Sequence, residues 1–263
     1  MMRALRIFIR INRSASAWLV SAFPRIFGNP PVSYRDLLIG RIAQDIRTRR
    51  PAVILEAGGV DRPLLRRSPD YIFVGLDIEM RPDCATLYDS FIVQSIEKPV
   101  PLRADMIVSY TLLEHVPDNR GSMHAMFASL NPGGTTHHYV PSRYHPYSIS
   151  LQIVGPTLQK RLIPLLRPGA ETTTGYPAFF NYCSPASMHR LMRETGFVDI
   201  DLVPFYRASD YFAFFLPLFI LVTLFENLCA ALGLRVFASG YVISARSPGE
   251  PAEVDTTGSA RTA

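Results

Sequence analysis

The segment Ala52-Val-Ile-Leu-Glu-Ala-Gly-Gly-Val-Asp61 constrains this chain more than any other. Val53-Ile54-Leu55 is a branched apolar run of the kind that fills a parallel strand covered on both faces. It runs straight into Gly58-Gly59, where main-chain N–H groups can approach a ligand with no side chain in the way. Strand followed by bare turn predicts a nucleotide pocket. About twenty residues further on, the spacing a βαβ unit needs to set an acid beside a ribose hydroxyl, Tyr71-Ile-Phe-Val-Gly-Leu-Asp77 reads as a second buried strand ending in a carboxylate. A glycine pair alone more often marks an ordinary turn. Its pairing with Asp77 is what gives it weight.

Two further blocks follow in order. Asp105-Met-Ile-Val-Ser-Tyr-Thr-Leu-Leu-Glu-His-Val116 is a third apolar strand with a helix start behind it, and Leu130-Asn-Pro-Gly-Gly134 comes one helix later, ahead of another strand. With these residues the chain resembles the class I S-adenosylmethionine-dependent methyltransferases of the type 11 small-molecule group. Their string is a strand, Asp/Glu-x-Gly-x-Gly, an acid ending strand two, Asp-x-Val-x-Ser-x-x-x-Leu-Glu-His, then Leu-x-Pro-Gly-Gly. The resemblance runs from Val53 to Arg246 and departs at one point: the glycine spacing is compressed to Gly58-Gly59, with Val60 and Asp61 where further glycine is common.

The resemblance implies an α/β, Rossmann-like fold, a seven-stranded mostly parallel sheet with helices on both faces. It also implies S-adenosyl-L-methionine as cofactor, lying across the ends of strands one, two and four. Glu56, Ala57, Gly58 and Gly59 would sit against its methionine part, Asp77 and Ile78 at the ribose, Ser95 and Ile96, ending a short strand Phe91 to Ile96, beside the adenine, and Ser109 and Tyr110 at the end of the Asp105 strand, which that short strand makes the fourth. His115 would face the methyl group. The acid that relatives often carry near Ser95 is absent, which removes one expected hydrogen bond to the adenine amino group unless the Ser95 hydroxyl or a carbonyl supplies it.

Composition bounds the rest. At 263 residues the chain holds one large α/β domain with a sizeable core. Cys84, Cys183 and Cys229 lie far apart with no zinc or C-x-x-C spacing, so neither a disulfide framework nor a structural metal is implied, and a reducing compartment is. His137, His138 and His145 do not read as a metal set either, because neighbours in a strand point to opposite faces and no carboxylate is nearby in sequence. The net charge of +5 is uneven: residues 1–50 hold ten Arg against Asp36 and Asp45, giving +8 and leaving −3 for the remainder. Basicity confined to one end favours an anionic surface over a nucleic-acid groove.

Residues 1–32 form a basic leader. Arg3, Arg6, Arg10 and Arg13 share one helical face, with Leu5, Phe8, Ile9 and Ile11 around the others. No long apolar core follows, which argues against a secretory signal. A poorly ordered leader or a helix packed on its own domain fits this pattern as well as a helix lying on a lipid surface does. The domain proper is expected over 33–246. Ser33 and Asp36 cap a helix running to Arg50, and Arg62 to Arg67 is expected to be a one- or two-turn helix between Pro63 and Pro69. Asn119 to Ser122 caps a helix over Met123 to Leu130, Thr135 to Ser142 is a strand, and 150–180 is an inserted lid. Ser184, Pro185 and Gly196 bracket another helix, Val198 to Val203 is a strand, and Gly240 to Arg246 resembles the family's last strand. The apolar stretch 211–234 is too short in its uninterrupted part to cross a bilayer and must return to the sheet, so a helical hairpin of Tyr211–Phe225 and Glu226–Leu234 is expected. Residues 247–263 have the composition of a disordered tail.

Methyl transfer from a sulfonium is an in-line displacement, so positioning, exclusion of water and removal of the acceptor's proton are what a protein contributes. His115 is the candidate base, although a histidine at a helix start also serves as a cap or packing residue. The ring-rich stretch Arg143 to Tyr147 places Tyr144, His145 and Tyr147 as candidate acceptor contacts beside the lid and the hairpin, where an acyl or prenyl tail would fit. Two function classes result. One is an enzyme methylating a small molecule, a lipid-linked or envelope precursor in preference to a soluble metabolite, from a cytoplasmic position held peripherally or monotopically at a membrane. The other is a catalytically inactive methyltransferase-like binding module. An NAD-dependent dehydrogenase shares the strand-turn-acid logic but leaves Leu-Glu-His and Pro-Gly-Gly unexplained.

Overall fold

A computed structural model of the chain describes residues 2–166 and 176–249. Seven strands build one sheet: β1 (Val53–Ala57), β2 (Ile72–Asp77), β3 (Ser90–Val93), β4 (Ala104–Tyr110), β5 (Leu130–Pro141), β6 (Val198–Phe205) and β7 (Gly240–Arg246). Their order is β3-β2-β1-β4-β5-β7-β6, and only β7 runs against the others. The helices are α1 (Met2–Ala22), α2 (Pro24–Phe27), α3 (Tyr34–Arg49), α4 (Cys84–Leu87), α5 (Asn119–Ser129), α6 (Pro146–Leu166), α7 (Pro185–Thr195) and α8 (Leu216–Ala231). This is the Rossmann-like, mostly parallel seven-stranded sheet that the family resemblance implies.

Alternation along the strands sorts the core into two layers. Leu55, Leu76 and Ile107 join Met126 of α5 and Met188 and Leu191 of α7 on one face. Ile54, Phe73 and Met106 meet Leu38 and Ile42 of α3 on the other. At the strands' amino ends the Asp105 carboxylate gathers three neighbours: one oxygen accepts from Ala52 and Val53 N (2.8 and 2.9 Å) and the other from Asn131 Nδ2 (2.7 Å). One side chain thereby aligns the starts of β1, β4 and β5.

Helix ends follow the caps where the cap is local. Ser33 and Asp36 form a reciprocal capping box on α3, Ser184 and Ser187 do the same on α7, and Gly196 closes α7 at φ +111°. Two local expectations change. Residues 62–67 are not helical, because Pro63 interrupts the segment and the Leu64 N–H is drawn to the Glu56 carboxylate instead of a helical carbonyl. Helix α5 starts at Asn119, four residues early, since the Asp118 side chain accepts from Gly121 N and supplies the cap.

The apolar stretch before β7 is one helix, not a hairpin. A short 3₁₀ turn at Ser209–Phe212 leads into α8, which continues through Glu226 without a break. Glu226 does not force a turn towards solvent because it is buried and fully engaged: Oε1 accepts from His145 Nε2 at 3.1 Å and from Ala208 N at 2.6 Å, and Oε2 from Arg207 at 3.3 Å. The leader is helical as α1 and packs on its own domain through Ile9 and Ser16, while Arg3, Arg6 and Arg10 stay exposed. Within the expected lid, α6 runs to Leu166 with a bend at Gly155 (φ +70°), and residues 167–175 lie outside the described residues. Of the expected disordered tail, Ser247 bonds to Gly134 O and Asn131 O, and 250–263 lie outside the described residues. No helix among the described residues is long and apolar enough to cross a membrane.

Truncating Glu226 to alanine leaves His145 and Arg207 without their shared carboxylate inside the fold. A buried ion pair broken on one side costs about 3–5 kcal/mol, so urea unfolding of Glu226→Ala is expected to show a loss of that size. A loss below about 1 kcal/mol, the scale of an exposed pair, would show that the network carries no buried charge.

Candidate active site

The strand order reverses between β1 and β4, so the loops that follow them leave the carboxyl edge of the sheet side by side and open a crevice. Register aligns the candidate residues along that edge: Ala57 stands opposite Leu76 and opposite Ser109, and Asp77 opposite Val93. Gly58 adopts φ +83°, and a Cβ there would meet Leu112 of the β4 loop at 3.0 Å. Both the backbone conformation and the close approach demand glycine. Val60 (φ +45°), in the loop after β1, and Thr111 (φ +51°), just after β4, both lie in the left-handed region. That region is costly for β-branched residues, and such strain collects at ligand sites. Val60 thus keeps a glycine-like backbone where a glycine is common in related motifs.

Glu56 turns under the loop. Both of its oxygens lie within 3.0 Å of Leu64 N, and burial pushes its carboxyl up to about 8 against the pull of the Leu64 and Leu65 amides. It therefore shapes residues 61–65 rather than presenting a charge to the crevice. Gly59 has no room for a side chain, since a Cβ would collide with the Tyr88 hydroxyl and Glu56. Asp77 is partly buried and pushed above its usual range by desolvation; its Oδ1 accepts from Glu79 N at 2.9 Å. The next residue, Ile78, is 72% exposed and offers an apolar wall.

Other expected contacts are committed elsewhere. Ser95 is tied to Glu97, its hydroxyl donating to Oε2 at 2.9 Å, and Ile96 is buried in the core. Ser109 is buried with its hydroxyl 2.7 Å from His138 Nδ1, and the Tyr110 ring packs among Tyr34 and Tyr139. What β4 offers a ligand is therefore main chain, because side chains of alternate strand residues point into the two core layers. His137 and His138 are likewise engaged separately, the former by Asp45 and Ser244, the latter by Ser109 and Thr136.

His115 stands at the end of a short 3₁₀ turn, Leu113–His115, not at a helix start. Its Nδ1 lies 2.9 Å from Pro177 O, and a carbonyl only accepts, so Nδ1 carries the proton and Nε2 keeps its lone pair. Burial holds the imidazole below its usual range, partly opposed by the same carbonyl, which keeps it neutral and able to take a proton. Its neighbour Glu114, unremarked in the sequence, is buried with Oε2 unpartnered among the described residues, and desolvation pushes its carboxyl up to about 8. Oε1 is 3.7 Å from His115 Nε2. Nothing in the chain's local pattern marks that burial, which goes with Phe179 and Phe180, distant in sequence, donating to the Glu114 carbonyl. Arg81 was equally illegible: it reaches Asp61 of the β1 loop at 2.8 Å and the Tyr176 hydroxyl at 3.1 Å, closing one side of the crevice.

The three expected acceptor contacts separate. Tyr144 is exposed and lines a shallow groove of about 370 Å³ with Arg143, Ile149, Gln152 and Ile153. His145 is instead an interior residue, fully buried against Glu226, and Tyr147 stacks on Tyr211 at 3.7 Å. Both fasten the β5 loop to the segment around α8.

Residues 33–202 match a protein family described as a methyltransferase domain. Among solved structures, phosphoethanolamine N-methyltransferase 2 of Haemonchus contortus in complex with S-adenosyl-L-methionine is 12% identical with a TM-score of 0.50, over 87% of this chain and 56% of that one. The CurJ carbon methyltransferase is 13% identical with a TM-score of 0.50, over 82% and 54% respectively. The chain thus spans little more than half the length of either, and at this identity the likeness is one of fold. No curated protein matches the sequence.

The two raised carboxyls give the site a pH signature. Glu56 and Glu114 hold a proton in the folded chain from their ordinary 4.5 up to about 8, where the unfolded chain has lost it. Stability is therefore greatest below that window and falls as pH rises through it, by up to about 1.4 kcal/mol per pH unit for each group. Glu114→Gln is expected to make that fall shallower in urea titrations between the two limits. An unchanged slope would show that Glu114 is ionised in the folded chain.

Proposed function

Because the chain belongs to the methyltransferase-domain family, we propose that it transfers the methyl group of S-adenosyl-L-methionine to a small-molecule acceptor of lipid-linked or envelope-precursor type. The observation that carries the reading is the convergence, at one reversal of strand order, of the Gly58 turn, Asp77 with exposed Ile78, and a neutral His115. These residues fit the cofactor: Asp77 is placed to accept from ribose hydroxyls, Ile78 to cover a purine face, and the backbone at Gly58 and Gly59 to approach the methionine part. When bound, the cofactor supplies a sulfonium methyl open to in-line displacement. His115 Nε2 takes the proton of an acceptor hydroxyl or amine as its lone pair forms the new bond, and the Pro177 carbonyl steadies the imidazolium through Nδ1–H. Glu114 at 3.7 Å becomes more favourably ionised once that imidazolium forms.

The groove at Tyr144 and Ile153, apolar with one ring and one guanidinium at its rim, supports an acceptor that joins a polar head to a hydrocarbon tail. With it goes a cytoplasmic protein held at a membrane surface, for which the cationic face of α1 speaks. The second reading, a methyltransferase-like module that binds without turnover, has one observation in its favour: Glu56 is spent on Leu64 rather than free for a ligand.

Asp77→Ala is expected to weaken S-adenosylhomocysteine binding by about 1–3 kcal/mol in calorimetry. Equal affinity would remove Asp77 from the site, and no binding by either protein would dismiss the enzyme reading. His115→Asn should lower turnover by about 10²–10⁴-fold with cofactor affinity kept. Unaltered turnover would reduce His115 to a packing residue.

A further inference from the structure

Helix α1 has two apolar sides, and the domain uses only one of them. Ile9 and Ser16 are buried. At the helical 100° per residue, Ile7, Ile11 and Trp18 fall within about 40° of one another on the opposite side. They stand in solvent, Trp18 at 62% exposure. Helix α8 repeats the pattern. It buries Phe219, Val222, Glu226 and Cys229, and spacings of three, four and four line up Leu221, Leu224, Leu228 and Leu232 as an exposed stripe, Leu221 at 65%. Its one charged residue, Glu226, points inward.

The two helices are one unit. Asn12 Oδ1 of α1 accepts from Leu216 N at the start of α8 (2.8 Å), Ser16 Oγ reaches Ala213 O, and Phe8 stacks on Phe215. Helix α2 fills the flank: Phe27 stacks on Phe219 at 5.9 Å and Asn227 donates to Ile26 O, leaving Phe23 exposed beside Trp18. Exposed large apolar side chains gathered on three elements that pack on one another differ from the single scattered exposures normal for a monomer. The charge on α1 and α2 is of one sign, since residues 1–35 contain six arginines and the first acid is Asp36.

We propose that the outward faces of α1, α2 and α8 form a single docking surface for an anionic lipid bilayer, on which the protein lies in plane. Arg3, Arg6 and Arg10 sit to one side of the Ile7–Ile11–Trp18 stripe, the arrangement in which an interfacial helix seats its apolar side among acyl chains and its cations among acidic headgroups. A second copy of the chain is disfavoured as the occupant, because a two-fold contact on this face would bring the arginine rows of two α1 helices together. The surface also connects to the acceptor groove: α6, which carries Ile149, Gln152 and Ile153, ends where Leu166 O accepts from Arg13 of α1 at 3.1 Å. A lipid-linked acceptor would thus be met without leaving its membrane, a consequence that rests on the function proposed above, whereas the docking itself does not.

The test is sedimentation of the full chain with vesicles of phosphatidylcholine alone and of phosphatidylcholine mixed with phosphatidylglycerol. Binding to the mixed vesicles and little to the neutral ones is expected. Combining Arg3→Gln, Arg6→Gln and Arg10→Gln should weaken it about a hundredfold, at roughly fivefold per arginine. Leu224→Gln with Leu228→Gln should weaken it about tenfold or more. All variants should keep wild-type affinity for S-adenosylhomocysteine. Equal binding to both vesicle types, or variants that bind like the wild type, would overturn the proposal. So would a dimer that the leucine variant dissolves with no vesicle binding at all, which would assign the stripe to a second copy. Vesicle binding without cofactor binding would sink the methyltransferase reading and leave the docking surface standing; the reverse result would do the opposite.

Discussion

Strand β1 is held by β2 on one side and β4 on the other, and every other feature of the site depends on that placement. A strand so enclosed has to be apolar on both faces, which Ile54 and Leu55 satisfy by serving opposite core layers. The two neighbours leave in opposite directions across the sheet, so their loops part at the carboxyl edge and a ligand can enter between them. Asp105 sets the register from the other end, bonding the first amides of β1 and the start of β5 from one carboxylate. A slip of one residue there would exchange the two core faces and carry Glu56 out of reach of Leu64.

Within the crevice, strain and desolvation are concentrated rather than spread. Two β-branched residues in left-handed conformation, two carboxyls held near 8 and the buried Tyr88 hydroxyl, without a partner among the described residues, lie around the loops after β1 and β4. A fold tolerates such features when the surrounding core over-determines them, and the same core makes a pre-formed site. On the far side, Glu226 does the corresponding work for the acceptor edge. It ties α8 to the β5 loop through His145 and to the β6 end through Arg207 and Ala208, so the outward-facing helix and the loop carrying Tyr144 move together.

Much of this was legible in the chain. The strands β1, β2 and β4 and the caps of α7 at Ser184 and Gly196 follow from local pattern, because each is specified by residues next to one another, while β7 follows from the family resemblance. The failures share a cause in long-range contacts. Residues 62–67 lose their helix to a carboxylate earlier in the chain, α8 keeps its helix through Glu226 because His145 lies 81 residues before it in sequence, and His145 looked like a substrate contact for want of that partner. The side chains of Ser109 and Tyr110 show the limit of motif reading: the motif locates the strand end, while the two-residue alternation decides which side chains reach the ligand.

The central claim is that the shortened glycine turn, with Val60 in a glycine-like conformation, still makes an S-adenosyl pocket. Thermal unfolding of the purified chain with S-adenosylhomocysteine, and separately with NAD, tests it most directly. A ligand that binds only the folded chain stabilises it by about 2.7 kcal/mol at a hundredfold excess over its dissociation constant. A rising midpoint with S-adenosylhomocysteine and a flat one with NAD is the predicted result; a midpoint indifferent to S-adenosylhomocysteine, or raised by NAD, would contradict it.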